Sequence, residues 1–194
     1  MSDKNFWEAF YSKKKGTLNP SPFAIFLMEN FPVKGNLVEL GCGNGRDSLY
    51  FANHKINVLG IDQCKNIVAD LNSIGIGNAT FKALDFTNLS DLGTFNMVYS
   101  RFTLHSVSKE QASKTMVWAY NFLAREGKFC IEVRSIHDDF CGEGKEVEKD
   151  AFVTDHYRRF IRLDEMVDEL KEIGFSIDYQ IEATGLAKYK NEDP

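Results

Sequence analysis

Three carboxylates stand at the ends of short β-rich runs, at spacings that could bring them to one ligand. Glu39 lies two residues before Gly41-Cys42-Gly43-Asn44-Gly45, Asp62 closes Val58-Leu59-Gly60-Ile61, and Asp85, followed by Phe86, closes Thr80 to Leu84. Glycines at the first, third and fifth positions permit a tight strand-to-helix turn and close backbone approach by a ligand. A dinucleotide site would space them at the first, third and sixth positions, to bring a pyrophosphate onto the helix N-terminus. The acid before the turn favours a cation instead. Asp62 lies about 21 residues past Gly41, the separation at which an acid accepts hydrogen bonds from both ribose hydroxyls. Asp85 can meet an adenine amino group, and Phe86 can cover its ring. Read singly, each acid is a surface carboxylate that ends a strand. Three of them on successive strands mark one edge, because open α/β sheets bind ligands at the carboxyl ends of their strands.

A second set of side chains suits a polar acceptor. Ser100-Arg101-Phe102-Thr103-Leu104-His105 follows another β-rich run. His105 is the candidate general base, since imidazole titrates near neutrality; the structural alternative is a polar helix-start residue. Arg101 can bind a carboxylate or an anionic acceptor, against a simple surface salt bridge. Arg134 points to the same edge if the strand phase holds. Further on, Asp155-His156-Tyr157-Arg158-Arg159-Phe160 can form a clamp for phosphate or carboxylate, where arginine gives bidentate bonds. In an extended segment Arg158 and Arg159 point in opposite directions, so only one need face the ligand. The alternative is a solvated basic turn.

The elements that must position these residues alternate between β-rich and amphipathic runs, the pattern of a parallel sheet with helices on both faces. Strands are expected at Asn36 to Leu40, Val58 to Ile61, Thr80 to Leu84, Phe95 to Ser100 and Phe129 to Val133. Ser108-Lys109-Glu110-Gln111 reads as a capping box opening a helix, with Gly127 ending that helical region. Leu163, Met166, Val167, Leu170 and Ile173 form an inward helical stripe stopped by Gly174. Phe175 to Ile181 alternates as a half-buried antiparallel strand would. Residues 1–35, with Phe6, Trp7, Phe10 and Tyr11 and then Phe23, Phe26 and Phe31, read as two helices forming a lid at the ligand edge. Residues 134–162 read as a long, irregular, substrate-side loop.

Size and composition set the class. A chain of 194 residues, 43% hydrophobic and 26% charged, suits one globular domain over 1–194. No stretch approaches a membrane span, and the N-terminus lacks the apolar core of a secretory signal, so a cytoplasmic location is expected. Cys42, Cys64, Cys130 and Cys141 form no Cys-x-x-Cys pair and read as reduced thiols. No cluster has metal-ligand spacing, so a metal-independent reaction is expected. A net charge of −5 disfavours nucleic acid as a partner. The expected partner is a small-molecule acceptor, with a homodimer left open.

Together Val38-Glu39-Leu40-Gly41-Cys42-Gly43-Asn44-Gly45, Gly60-Ile61-Asp62, Asp85-Phe86 and Phe95-Asn96-Met97-Val98-Tyr99-Ser100 resemble the successive motifs of class I S-adenosylmethionine-dependent methyltransferases, over Leu37 to Ile181. The resemblance implies an α/β, Rossmann-like, doubly wound, mostly parallel sheet in three layers, ordered 3-2-1-4-5-7-6, with its last strand short or missing. It implies S-adenosylmethionine as cofactor and S-adenosylhomocysteine as product. The glycine turn, with Gly41, Cys42 and Gly43, would hold the methionine part and Glu39 would shape the pocket floor. Asp62 would bind the ribose, Asp85 and Phe86 the adenine, with Gln63 and Ser100 alongside. Arg46 and Asp47 face either the cofactor or the helix start. His105, Arg101 and Tyr157 would be catalytic; Arg134, His156, Arg158, Arg159 and Tyr11 would bind the acceptor.

The chain lacks the Asn/Asp-Pro-Pro-Tyr motif of amide and exocyclic-amine methylators, which disfavours adenine-N6 or glutamine substrates; O-methylation is expected. A looser resemblance, carried by the basic segment and the aromatic N-terminus, is to small bacterial methyltransferases of cell-surface polysaccharide synthesis, including ones acting on a capsular phosphoramidate precursor. RNA or protein methylation, and a non-catalytic S-adenosylmethionine-binding module, are the alternatives.

Overall fold

The computed structural model describes residues 4–13 and 19–188; in the first stretch the side chains described are those of residues 6–10. Two helices, α1 (Lys4–Lys13) and α2 (Pro22–Asn30), precede β1 (Asn36–Leu40). There follow α3 (Arg46–Asn53), β2 (Asn57–Asp62), α4 (Lys65–Ser73), β3 (Ala79–Ala83) and β4 (Phe95–Arg101). Then come α5 (Lys109–Phe122) and β5 (Leu123–Glu132). Strands β1 to β5 form one sheet in the order β3-β2-β1-β4-β5, with every pairing parallel.

The central strands β1, β2 and β4 are covered on both sides, so their apolar residues divide between two cores. On one side Leu37, Val58, Met97 and Tyr99 pack with Ala24 and Leu27 of α2 and with Phe51 and Ala52 of α3. On the other, Val38, Leu40, Ile61 and Val98 pack with Trp118 and Ala119 of α5. Helix α5 opens on the expected capping box: Ser108 Oγ accepts from Gln111 N at 3.3 Å and Gln111 Oε1 accepts from Ser108 N at 3.1 Å. It ends at Phe122, earlier than Gly127 suggests, and Gly127 lies inside β5. Strand β5 absorbs the difference as an irregularity opposite Phe95 and Met97.

Residues 134–162 do not form an irregular loop. They hold a small antiparallel sheet of β6 (Lys145–Glu148), β7 (Ala151–Val153) and β8 (Tyr157–Arg159) in that order. Its edge strand β6 is short, exposed and charged, which discourages further pairing. Backbone bonds from Arg159 N to His105 O (2.8 Å) and from Ile161 N to Arg134 O (2.9 Å) fasten it to the tips of β4 and β5. Helix α6 (Leu163–Ile173) then closes on Gly174 at φ +119, the left-handed terminator expected there.

The expected antiparallel strand over Phe175 to Ile181 is not formed. Among the described residues the sheet ends at β5, and the sixth and seventh strands of the expected order have no ladder. The stretch instead passes β5 through side chains, Lys128 meeting Asp178 and Ser135 meeting Glu182, and so runs in the direction of β5. Phe175 packs on Phe129 and Tyr120, while Tyr179 and Ile181 stay about half exposed. The alternation in sequence reports that one-sided cover. It carries no information about hydrogen bonding or direction.

Candidate active site

Parallel register brings the strand tips side by side. Leu40 is level with Ile61 on β2 and with Ser100 on β4, and Arg101 is level with Glu132 on β5. With neighbouring strands about 4.8 Å apart, Gly41, Asp62, Ser100, Arg101 and Glu132 form one continuous edge. Leu84 N donates to Asp62 O at 3.0 Å, which sets Asp85 just beyond it.

The β1–β2 half of this edge suits a cation with a ribose. Glu39 is buried, and Ser48 Oγ donates to its Oε2 at 2.5 Å. Burial, followed by the nearby Asp47 carboxylate, pushes the Glu39 carboxyl well above its usual range, while Ser48 and Arg46 pull the other way. Such an acid gains from a positive ligand. Asp62 is also buried; its Oδ2 accepts from Gly43 N at 2.9 Å and its Oδ1 from Cys64 N at 2.8 Å. Each carboxylate oxygen has a second lone pair for a hydroxyl. Gly41, at φ +71, has no room for a side chain, since a Cβ would lie 2.4 Å from Thr103 Cγ2 and 3.9 Å from the Phe86 ring. Phe86 therefore overlies the turn. Cys42 is buried within it, Gln63 is half-buried beside Asp62, and Ser100, fully buried, shares a 2.5 Å hydrogen bond with Thr103 Oγ1. Asp85 is exposed and accepts from the N–H and the hydroxyl of Thr87.

Asp47 ties the N-terminal segment to this edge. Its buried carboxylate accepts from Ser21 N (2.7 Å), Ser21 Oγ (2.8 Å) and Tyr99 OH (2.8 Å). Ser21 also caps α2, its hydroxyl accepting from Ala24 N at 3.1 Å. One carboxylate thus joins α2, α3 and β4, a structural use of the residue.

Residues 37–127 match a family described as a methyltransferase domain, and no curated protein sequence matches the chain. Among solved structures its fold resembles an S-adenosylmethionine-dependent methyltransferase from Mesorhizobium loti, at 18% identity over 84% of this chain and 85% of that one, TM-score 0.71. It also resembles DhpI in its complex with S-adenosylmethionine and HEP, at 17% identity over 89% and 87%, TM-score 0.70. A third is the glycopeptide N-methyltransferase MtfA complexed with S-adenosylmethionine, at 15% over 90% and 92%, TM-score 0.69. At such identities the likeness is one of fold. With the matched domain, it gives this chain a methyltransferase-like fold with three acids at the carboxyl edge of its sheet.

The β4–β5 half is built differently. His105 is buried, and its Nδ1 accepts from Arg134 N at 3.1 Å. A neutral imidazole that accepts at Nδ1 carries its proton on Nε2. Burial first, then Arg134, Arg158, His156 and Arg159, hold its pKa well below the usual value. Arg101 Nε lies 2.5 Å from Glu132 Oε2, and Arg134 Nη1 donates to Asp138 Oδ2 at 2.7 Å. Arg158 lies over Phe140, with Nη1 donating to Thr154 Oγ1 at 2.8 Å, on the opposite face of β8 from Arg159. Arg159 and Tyr157 share the other face. The Arg159 guanidinium donates to Leu104 O (3.1 Å) and Val107 O (3.5 Å), so it braces the loop that carries His105. Tyr157 neighbours Arg159 and Glu148, and burial raises its phenol.

His156 Nδ1 lies 2.8 Å from Asp155, and its ring stacks on Phe6 at 4.3 Å and meets Trp7 edge-on at 5.2 Å, which brings α1 over this half. The Tyr11 side chain lies outside the described residues. Glu132, Asp138, Phe102 and Phe140 belong to the site although the sequence did not single them out. Glu132 had a signal: an acid ending the strand level with Arg101. Among the described residues no group of three His, Cys, Asp or Glu could hold a metal ion, and no helix is long and apolar enough to cross a membrane.

Proposed function

We propose that this chain is a methyltransferase that uses S-adenosylmethionine, leaves S-adenosylhomocysteine, and acts on an oxygen of a small acceptor carrying an anionic group, such as a phosphate-, phosphoramidate- or sugar-bearing metabolite of surface polysaccharide synthesis. The observation that carries this reading is the surroundings of His105, whose imidazole is held neutral among Arg134, Arg158, Arg159 and His156. A locally positive, partly desolvated neighbourhood favours an oxyanion. The cofactor supplies a methyl group already activated for in-line displacement.

Within that neighbourhood His105 is a poor base. Taking a proton would place a second positive charge beside Arg134, and Nδ1 is committed to the Arg134 N–H. Its Nε2–H is a donor, suited to orienting an acceptor oxygen that arrives already ionised. The chain's own contribution is then alignment, worth up to ~7–11 kcal/mol in well-oriented reactions. Five N–H donors on a guanidinium let one arginine hold a carboxylate and an oxyanion together. Helix α1, through Phe6 and Trp7 on His156, covers the acceptor and excludes water. The glycine turn, Glu39, Asp62 and Asp85 with Phe86 hold the cofactor.

Incubation with methyl-labelled S-adenosylmethionine and a panel of phosphorylated, phosphonate, carboxylate and neutral sugar metabolites tests the reading. Label should enter anionic members as an ester, at rates that stay level through neutral pH. Transfer confined to neutral amines, or to RNA or protein added as controls, would refute it.

A further inference from the structure

Arg101, Arg134 and Arg158 share two phenyl rings. The Arg101 guanidinium carbon lies 4.3 Å and that of Arg134 5.5 Å from the Phe102 centroid; Arg134 lies 5.4 Å and Arg158 5.9 Å from that of Phe140. The order along the edge is therefore Arg101, Phe102, Arg134, Phe140, Arg158. It leads from the cofactor side to the segment under α1. Asp138 couples the second ring to the middle arginine, since its Oδ2 accepts from Arg134 and its Oδ1 from Phe140 N at 2.9 Å.

Phe102 holds an unusual backbone. Its φ is +55, the left-handed region, where a bulky side chain is strained and persists only when its surroundings fix it. Here they do: its N–H donates to Glu132 O at 2.8 Å and its carbonyl accepts from Ser106 Oγ at 3.1 Å. Glycine or asparagine would fit that backbone more easily, so a phenyl ring there points to a use for the ring. Stacking on an aromatic face fixes the plane of a guanidinium and hence the direction of its donors. A flexible arginine otherwise loses rotamer freedom on binding, and removing that loss strengthens binding.

We propose that Phe102 and Phe140 are positioning residues that set the spacing and planes of Arg101, Arg134 and Arg158, and that this stack selects an oxyanion on the acceptor. The inference rests on the anionic-acceptor reading and adds which side chains discriminate. Inorganic phosphate is the probe, titrated by calorimetry into protein saturated with S-adenosylhomocysteine. Wild type should bind it. Phe102→Leu and Phe140→Leu, which keep volume without a π face, should each weaken binding about tenfold, and Phe102→Tyr should stay within about twofold. Phe102→Gly should weaken phosphate equally without lowering the melting temperature, because it relieves the backbone. Affinity for S-adenosylhomocysteine should hold throughout.

If wild type binds phosphate and the leucine variants bind it as tightly, the stack is packing, and this inference falls while the anionic reading stands. If S-adenosylhomocysteine affinity falls in step with phosphate, the rings support the fold, and the inference falls again. If wild type binds neither phosphate nor a phosphonate, the anionic reading fails and takes the inference with it.

Discussion

At the tips of β1, β2 and β3 the carboxylates proposed to hold the cofactor are fixed by partners 2 to 19 positions away in the chain: Asp85 by Thr87, Asp62 by Cys64 and Gly43, Glu39 by Ser48. At the tips of β4 and β5 the frame comes from further off, with Arg134 N on His105 at a separation of 29 and Arg159 on Leu104 at 55. The first half is a local device that any parallel sheet with this turn can carry. The second is assembled by tertiary structure, from β4, β5, the β6–β8 sheet and α1. A local device suits a constant cofactor, and an assembled one can be shaped to a particular acceptor.

The sharpest way to break this contrast is at Asp62. Asp62→Ala removes two bonds to backbone N–H groups as well as the ribose acceptor, so S-adenosylhomocysteine affinity should fall on the order of 100-fold with little change in phosphate binding. Calorimetry with both probes checks it; equal losses would merge the two halves. Asp47→Ala should act on stability instead. It strands Ser21 and Tyr99 in a buried setting, for a loss of about 3 kcal/mol in urea denaturation. A loss under about 0.5 kcal/mol would deny Asp47 its joining role.

The acceptor half should also carry a pH signature. His105 is neutral in the fold with its pKa lowered, so below an unfolded value of about 6.5 the unfolded chain binds the extra proton. Stability from this group is complete above that pH and is lost as the pH falls beneath it. The urea midpoint of wild type should drop between pH 7.5 and 5 by more than that of His105→Asn, whose amide oxygen can still accept from Arg134 N–H. Identical drops would contradict the assignment. The smallest effect is expected at exposed Asp85, where Asp85→Asn should weaken S-adenosylhomocysteine roughly threefold, the scale of one exposed hydrogen bond.

How far the sequence was legible follows the same division. The glycine turn, Asp62 and Asp85 could be read because strand, turn and acid are adjacent in the chain, and the Ser108 capping box and the Gly174 stop are equally local. The β6–β8 sheet could not be, because its strands are only three or four residues long, two of them are mostly charged, and backbone bonds to the β4 and β5 tips fix it. Arg158 and Arg159 were expected to diverge, and they do, but which one would brace Leu104 and Val107 depends on where β8 docks. His105 could be singled out from the sequence as a candidate, whereas its tautomer depends on the Arg134 N–H. Phe102 gave no sign, since backbone strain has no signature in residue type.

A crystal structure with S-adenosylhomocysteine bound tests the central claim most directly. The account expects the ribose hydroxyls on Asp62, the adenine between Asp85 and Phe86, and the sulfur facing the space before His105 and Arg101. Density elsewhere on the molecule, or an adenosine whose ribose does not touch Asp62, would contradict it.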